Sequence, residues 1–534
     1  MNASLVASTS LSTQFTEEQI AIGRWVAEGV GHAVVIARAG TGKTWTALKM
    51  IPMMLSTSAA RYCAITMAMF NAPIAAETKG KLAASDIKAW ATTFHAAGWS
   101  ALLRAFPKTK LSGTDPGQAG YDKWTRIVEA LDIPERFRSF ARKAASMAKQ
   151  RAFGLTCRLS DPVQWLKIVT DFSLDESISA EYLDSGLRSR EDIIKEGLQW
   201  AFKALKKSNE LIPEVCDHDD QIYGPLIRDV KCFESDWLIV DEAQDTNPAR
   251  RLLARKMLKR NGRALFIGDP CQAIYLFTGA DNDAMDVIIK EWNATVLKLT
   301  MTFRCPQIIV RMAQAFVPDY RAAPTNPEGE YIPLKNSDQF YKEYAKTLTP
   351  DTAILCRNTA PLVKAAFRLI ALSVPCIVIG KDIGGQIIEL VNRWRSIKTL
   401  RTLRERLTAY LETETAKLLA AKKDAAADSL NDRVETVFAV IEGLPKDATL
   451  DDLKAKVEQM FQKAPKGEQE KKRIRLMTGH RSKGLEEDTI VIIGRKELFP
   501  SKFAKTDEQF QQERNLEYVM ITRTMRRMID VPLD

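Results

Sequence analysis

The 534-residue sequence predicts an α/β protein with two parallel-sheet domains, each interrupted by a mainly helical insertion. Three observations carry this. Short apolar, β-branched runs alternate with helix-forming stretches in two separate regions. The long stretches between those groups carry few strand signals. The first strand-like run leads directly into a glycine-rich phosphate loop, which opens a parallel α/β domain by placing a helix N-terminus beside the strand end.

In the first region the strand-like runs lie near 33–37, 61–66, 237–240 and 264–267. In the second they lie near 352–356, 376–379, 473–477 and 489–493. Residues 101–230, rich in Lys, Arg, Trp and Leu, read as a helical insertion of the first domain, which is built from 1–100 and 231–295. Residues 386–470 read as a helical insertion of the second domain, which is built from 296–385 and 471–534. "TLDD" at 449–452 is a capping box that opens one of its helices, and "KAPKGEQEKKR" is a charged linker into the strand near 473. The insertion is expected to pack as a separate lobe.

Net charge is +10, from 77 basic and 67 acidic residues, which suits an anionic partner such as nucleic acid. No run approaches the roughly 18 apolar residues that span a membrane. "MNASLVASTSLSTQ" lacks the basic start and apolar core of a signal peptide and reads as a flexible tail. The eight cysteines form no C-x-x-C pair and read as reduced thiols of a cytoplasmic protein. "CDHDDQ" at 216–221 has no second ligand cluster and reads as a solvated acidic turn.

The chemistry begins at "ARAGTGKT", residues 37–44. Gly40 and Gly42 let backbone N–H groups approach phosphate oxygens, with Ala39 and Thr41 completing the cradle. Lys43 supplies charge to the β/γ-phosphates, and Thr44 offers a hydroxyl to Mg²⁺. "WLIVDEAQD" at 237–245 is a buried strand ending in two acids. Asp241 would hold the metal through water, and Glu242 would be the base that activates the attacking water. "LFIGDPCQAIYLFTGA" at 265–280 places Asp269 and Gln272 at a third strand end, where open α/β sheets bind ligands. Gln272 suits a γ-phosphate sensor. Tyr275 and Phe277 suit a stacking platform for unpaired bases, although on this stretch alone they read as core.

Arg304, in "LTMTFRCP", is expected at a helix start, and Arg523, in "ERNLEYVMITRT", late in another helix. Each alone reads as a surface residue. With an Asp–Mg²⁺ site in one domain and both arginines in the other, they read as fingers on an ATP held between domains, whose closure and opening would be a motor stroke.

In motif order and spacing the chain resembles superfamily 1 DNA helicases of the UvrD/Rep/PcrA type, from residue 15 to 524. "FTEEQIAI" resembles the glutamine motif, implying that Gln19 binds adenine. "ARAGTGKT" resembles A-x-A-G-[ST]-G-K-T, and "VDEAQD" the acidic signature, with Asp241, Glu242 and Gln244 in role. "ATTFHAAG" resembles the DNA-contacting segment, so Thr93, Phe94 and His95 carry over. "GDPCQAIYLFTGA" implies Gln272 as sensor and Tyr275 and Phe277 as base contacts. "TFRCP" implies Phe303 stacking on adenine and Arg304 as first finger. "TGHRSKGLEED" implies Thr478, His480 and Lys483 facing DNA and Glu486 facing nucleotide. "EYVMITRT" implies Arg523 as second finger, with Tyr518 packing nearby.

The segment 65–77 matches T-F-T-N-K-A-A less closely, at Phe70 and Asn71; Thr278 stands where arginine is usual, and Glu487 where an apolar residue is common. The resemblance implies two RecA-like domains, ATP and Mg²⁺ as cofactors, single-stranded DNA and single/double-strand junctions as partners, 3′→5′ movement and strand separation. The 386–470 insertion is short for the family, and the chain ends soon after the last motif, which is expected of a compact motor without an appended nuclease. Two alternatives stay open: a translocase that displaces proteins and unwinds weakly, and a DNA-sensing ATPase that licenses a separate nuclease in antiphage defence. A replication or recombination protein is the other candidate partner.

Overall fold

The computed structural model describes residues 15–57, 63–112, 122–172, 174–178, 182, 188–274, 283–394, 397, 399–420, 423–461 and 473–533. The expected N-terminal tail lies outside them, as do Tyr275, Phe277 and Thr278. The chain forms two compact units, one comprising residues up to Ala37 together with Gly42–Leu299, the other Arg38–Thr41 with Thr300–Asp534.

The first unit is built on a six-stranded parallel sheet of β1 (Ala33–Ala37), β2 (Ile65–Met69), β3 (Trp90–Thr93), β4 (Ser235–Val240), β5 (Leu258–Gly268) and β6 (Thr295–Leu299), in the order β3-β2-β4-β5-β1-β6. Alternate residues of each strand enter different cores: Val34 and Phe266 pack with Phe94, Leu102 and Leu253, while Val35 and Ile267 pack with Ile22, Met50 and Met54. Helices therefore cover both faces, and the inner strands carry continuous buried apolar runs, Trp237–Val240 in β4 and Ala264–Ile267 in β5. Residues between Lys123 and Ile227 are mainly helical and gather round their own core of Phe137, Phe140, Trp165, Leu205 and Tyr223.

The expected solvated acidic turn is corrected here. Asp220 is fully buried and accepts from Lys123 Nζ at 2.5 Å, while Lys149 Nζ lies 2.5 Å from Asp217 and 2.8 Å from Asp220. Two lysines far away in sequence neutralise the acids, and no local pattern announces them.

The second unit holds another six-stranded parallel sheet: β7 (Glu330–Pro333), β8 (Thr352–Cys356), β9 (Cys376–Val378), β10 (Ile474–Thr478), β11 (Glu487–Ile493) and β12 (Thr524–Val531), in the order β7-β12-β11-β8-β10-β9. The helices Leu400–Ala420, Asp424–Glu442 and Leu450–Met460 fill the expected insertion, and Thr449 and Asp452 form its capping box. They do not form a separate lobe: Leu403, Leu407, Val434, Val437 and Leu453 share one core with Ile354 and Val491 of the sheet. Among the described residues no helix is long and apolar enough to cross a membrane.

Strand edges depart from expectation where burial hides them. Strand β2 lies at 65–69 rather than 61–66, because a run buried on both faces has no alternation to mark its ends. Strands β3, β6, β7 and β12 were not anticipated; the first three are edge strands with exposed positions that break the apolar run, and β12 is an inner strand whose start, at Met525 and Arg526, is exposed.

Candidate active site

The phosphate loop joins β1 to the helix Lys43–Thr57, whose N-terminal end is the natural seat for an anion. Strand β4 ends beside it. Lys43 Nζ lies 2.9 Å from Glu242 Oε1, and Thr44 Oγ1 donates to Asp241 Oδ2 at 2.8 Å. The two halves of the expected site, almost two hundred residues apart, are thus brought together. Glu242 sits in the left-handed region at φ 53°, a conformation that side chains rarely adopt and that turns the chain sharply after β4.

A chain of side-chain bonds runs sideways from Glu242. Gln244 Nε2 donates to Glu242, Gln244 Oε1 accepts from Asp269 N–H at 3.0 Å, and Gln272 Nε2 donates to Asp269 Oδ2 at 2.7 Å. The link needs the glycine ending β5, since a Cβ on Gly268 would stand 2.4 Å from Gln244 Oε1. Gln272 therefore sits at the expected strand end and is joined to Glu242 through Asp269 and Gln244. Burial opposes the Lys43 charge, but Glu242, Asp241 and Asp269 outweigh it and raise its pKa. Burial and then Glu242 raise the pKa of Asp241, against the pull of Lys43. A half-buried hydroxyl and a buried carboxylate with surplus negative charge are a donor set that fits Mg²⁺.

Gln19 is buried, its carbonyl accepting from Thr16 N–H at 2.9 Å in a capping box and its amide donating to Thr46 Oγ1 at 3.1 Å.

In the second unit Arg304 pairs with Glu486 and directs Nη1 toward the Thr522 carbonyl at 3.5 Å. It stands in the bend before the helix Gln307–Ala313 rather than at its start. Arg523 follows the helix Asp507–Ile521, beyond its C-cap at Thr522, rather than lying within it. It is buried and donates to the carbonyls of Val519 at 2.9 Å and Leu485 at 3.2 Å. Burial, then Arg304, pull its pKa down to about 10, so it remains a cation at neutral pH. Phe303 is 52 % exposed. The loop's first half belongs to this unit: Ala39 N–H donates to the Tyr518 hydroxyl at 3.0 Å, Tyr320 donates to the Ala39 carbonyl at 2.8 Å, and Phe303 N–H to the Gly40 carbonyl at 2.9 Å. A Cβ on Gly40 would stand 2.5 Å from Thr302 Oγ1.

The expected DNA-facing residues divide. Thr93 caps the helix Phe94–Ala105 through Ala96 N–H at 3.1 Å. Phe94 is a correction: at 4 % exposure it belongs to the core under the sheet and offers no face to a base. The His95 and His218 ring centroids lie 4.0 Å apart with the rings tilted by 41°, and both line a polar cavity with Lys149, Asp219, Asn247 and Arg250. Burial, then His218 and Arg250, pull the His95 pKa down to about 3. Asn71 caps the helix Ala72–Ala84, and Phe70 lies under the Arg250 guanidinium at 5.1 Å. Arg250 in turn donates to the Asp245 carbonyl at 2.8 Å, so it bridges the acidic strand end and the segment near His95. Its position, ten residues past the end of β4, gave no signal in the sequence.

Thr478, His480 and Lys483 are half-buried around the turn Gly479–Ser482. Burial, then Arg357, lower the His480 pKa to about 4, so it is neutral at pH 7. Arg357 holds Glu513 at 2.7 Å and Asp428 of the helical segment at 2.6 Å. Glu487, unusual in the motif comparison, is buried and paired with Arg475.

Residues 21–293 match the UvrD/REP helicase N-terminal domain, and residues 391–529 match the UvrD-like helicase C-terminal domain. The chain is 24 % identical over 317 residues to the ATP-dependent DNA helicase UvrD2 of Mycobacterium tuberculosis, covering 54 % of this chain and 41 % of that protein. It is 24 % identical over 389 residues to the ATP-dependent DNA helicase PcrA of Leuconostoc citreum, covering 66 % and 48 %. It is 29 % identical over 122 residues to the ATP-dependent DNA helicase Rep of Buchnera aphidicola, covering 21 % and 18 %. The chain thus spans less than half the length of these curated relatives. The first match alone covers just over half of the chain, and with the loop and acids paired at the strand ends of the first parallel sheet it places the protein in the UvrD/Rep helicase family.

Proposed function

We propose that the protein is an ATP-dependent DNA helicase that translocates 3′→5′ on single-stranded DNA and couples hydrolysis between two RecA-like domains to strand separation. The observation that supports this best is the Lys43–Glu242 and Thr44–Asp241 pairing, joined through Gln244 and Asp269 to Gln272. A base, a phosphate-binding cation and a sensor at a neighbouring strand end are wired together, as a site that reports γ-phosphate loss requires. The direction of movement rests on the family resemblance alone.

In this reading Lys43 leaves Glu242 for the β/γ-phosphates when ATP enters. Glu242 is then free to orient the attacking water and take its proton. Mg²⁺ held through Thr44 and Asp241 would neutralise charge on the phosphate oxygens. Gln272 passes the change at the γ-phosphate to the segment after it, which carries the proposed base contacts Tyr275 and Phe277. Arg304 and Arg523 exchange Glu486 and backbone carbonyls for the developing phosphate charge. Thr93, His95, Thr478, His480 and Lys483 face the DNA.

The test is steady-state phosphate release with and without single-stranded DNA. Hydrolysis should require Mg²⁺ and rise with DNA, and Glu242→Gln should remove it at every DNA concentration. A rate indifferent to DNA would contradict the motor reading.

A further inference from the structure

The first unit's sheet is parallel, so its strands start along one edge and end along the other. The phosphate loop, the two acids and Thr93 lie at strand ends. At the strand starts stands a pair of aromatic rings that the chemistry does not use. Trp90, 64 % exposed, begins β3, and Phe233, 51 % exposed, stands just before β4. Their ring centroids are 6.1 Å apart. Among the described residues they are the only exposed aromatics in ring contact with each other.

Phe233 also borders an open groove of about 520 Å³. Its floor is apolar, with buried Ala101, Val230 and Cys232, and its rim carries exposed Arg104, Lys231 and Glu234. Among the described residues neither Arg104 nor Lys231 is in an ion pair; Arg104 donates to Ser100 Oγ at 3.4 Å. Two rings side by side in water are costly surface for a chain to keep uncovered, and such patches mark sites of association. Clefts of roughly 300–1,000 Å³ hold small ligands, so this one has room for one or two side chains. Two separate cations and one acid do not make the continuous basic track that a nucleic-acid backbone needs. They do suit carboxylates on either side of an apolar anchor. The chain's own residues 1–14 carry no acidic side chain, so they are not the occupant. We propose that this groove docks a partner protein through a short acidic segment bearing an aromatic side chain. The partner's ring packs on Trp90, Phe233 and the apolar floor, and its carboxylates pair with Arg104 and Lys231. None of these residues belongs to the ATP site or to the proposed DNA contacts.

The full chain is titrated, by fluorescence anisotropy, against the labelled peptide Glu-Asp-Glu-Phe-Glu-Asp-Glu. Controls are the same peptide with Ser for Phe, one with Lys for every acid, and labelled oligothymidylate. The Phe peptide should bind saturably, and both altered peptides about ten-fold more weakly or worse. Trp90→Ala, and separately the double reversal Arg104→Glu with Lys231→Glu, should each weaken the Phe peptide by about ten-fold. Thermal melting, oligothymidylate affinity and DNA-stimulated hydrolysis should stay with the parent in both variants. No saturable binding of the Phe peptide, or binding that neither variant weakens, would overturn the proposal. A charge reversal that weakens oligothymidylate and leaves the peptide untouched would overturn it too, and make the groove a nucleic-acid surface.

Discussion

Lys43 and Glu242 hold each other at 2.9 Å, so each keeps the other's charge in place until a triphosphate separates them. Lys43→Ala should nearly abolish hydrolysis. Glu242→Gln keeps the shape and removes the base, so turnover should fall by about 10²–10⁴ while ATP still binds, as read by phosphate release and equilibrium dialysis. Arg304→Ala and Arg523→Ala should lower turnover by about 10³–10⁵ with little change in ATP or DNA affinity. If affinity falls and turnover per bound complex holds, their bonds to Glu486, Val519 and Leu485 are their whole role. The loop and acids were legible because phosphate chemistry demands fixed residue types at fixed spacing. The Gln244–Asp269 link was not, since it depends on two strands lying side by side. Phe94 was misjudged because an aromatic in a binding motif and one in a core look alike in sequence.

Elements carry the second kind of evidence. The buried group of Lys123, Lys149, Asp217 and Asp220 ties three stretches of the first unit's helical region together. Lys149→Met leaves two carboxylates poorly compensated and should cost about 3–5 kcal/mol, seen as a lower denaturant midpoint. In the second unit Asp432 accepts from Thr359 N–H at 2.8 Å and Ala360 N–H at 3.3 Å, capping the helix Thr359–Ala371 from outside it. Together with the shared core, this makes 386–470 part of the second unit's fold. Replacing it with a short Gly/Ser linker should expose Ile354 and Val491 and give an aggregating chain, measured by solubility and thermal melting. A soluble, cooperatively melting variant would restore the separate-lobe expectation. Helical periodicity was readable from the sequence; which core the helices would join was not, because an apolar stripe does not name its partner.

For the molecule as a whole, the +10 charge and the ATP site bear on one partner. Neutralising DNA phosphates releases counterions, so DNA affinity should fall steeply as salt rises. The parallel-sheet pattern of both units was visible in the alternation of apolar runs and helices, while β3, β6, β7, β12 and the capture of Arg38–Thr41 by the second unit were not. The most direct measurement is strand displacement on duplexes bearing a 3′ tail, a 5′ tail or no tail, with ATP and Mg²⁺, comparing the parent chain with Glu242→Gln. The account predicts displacement from the 3′ tail by the parent chain alone. DNA-stimulated hydrolysis with no displacement from any of the three would contradict it.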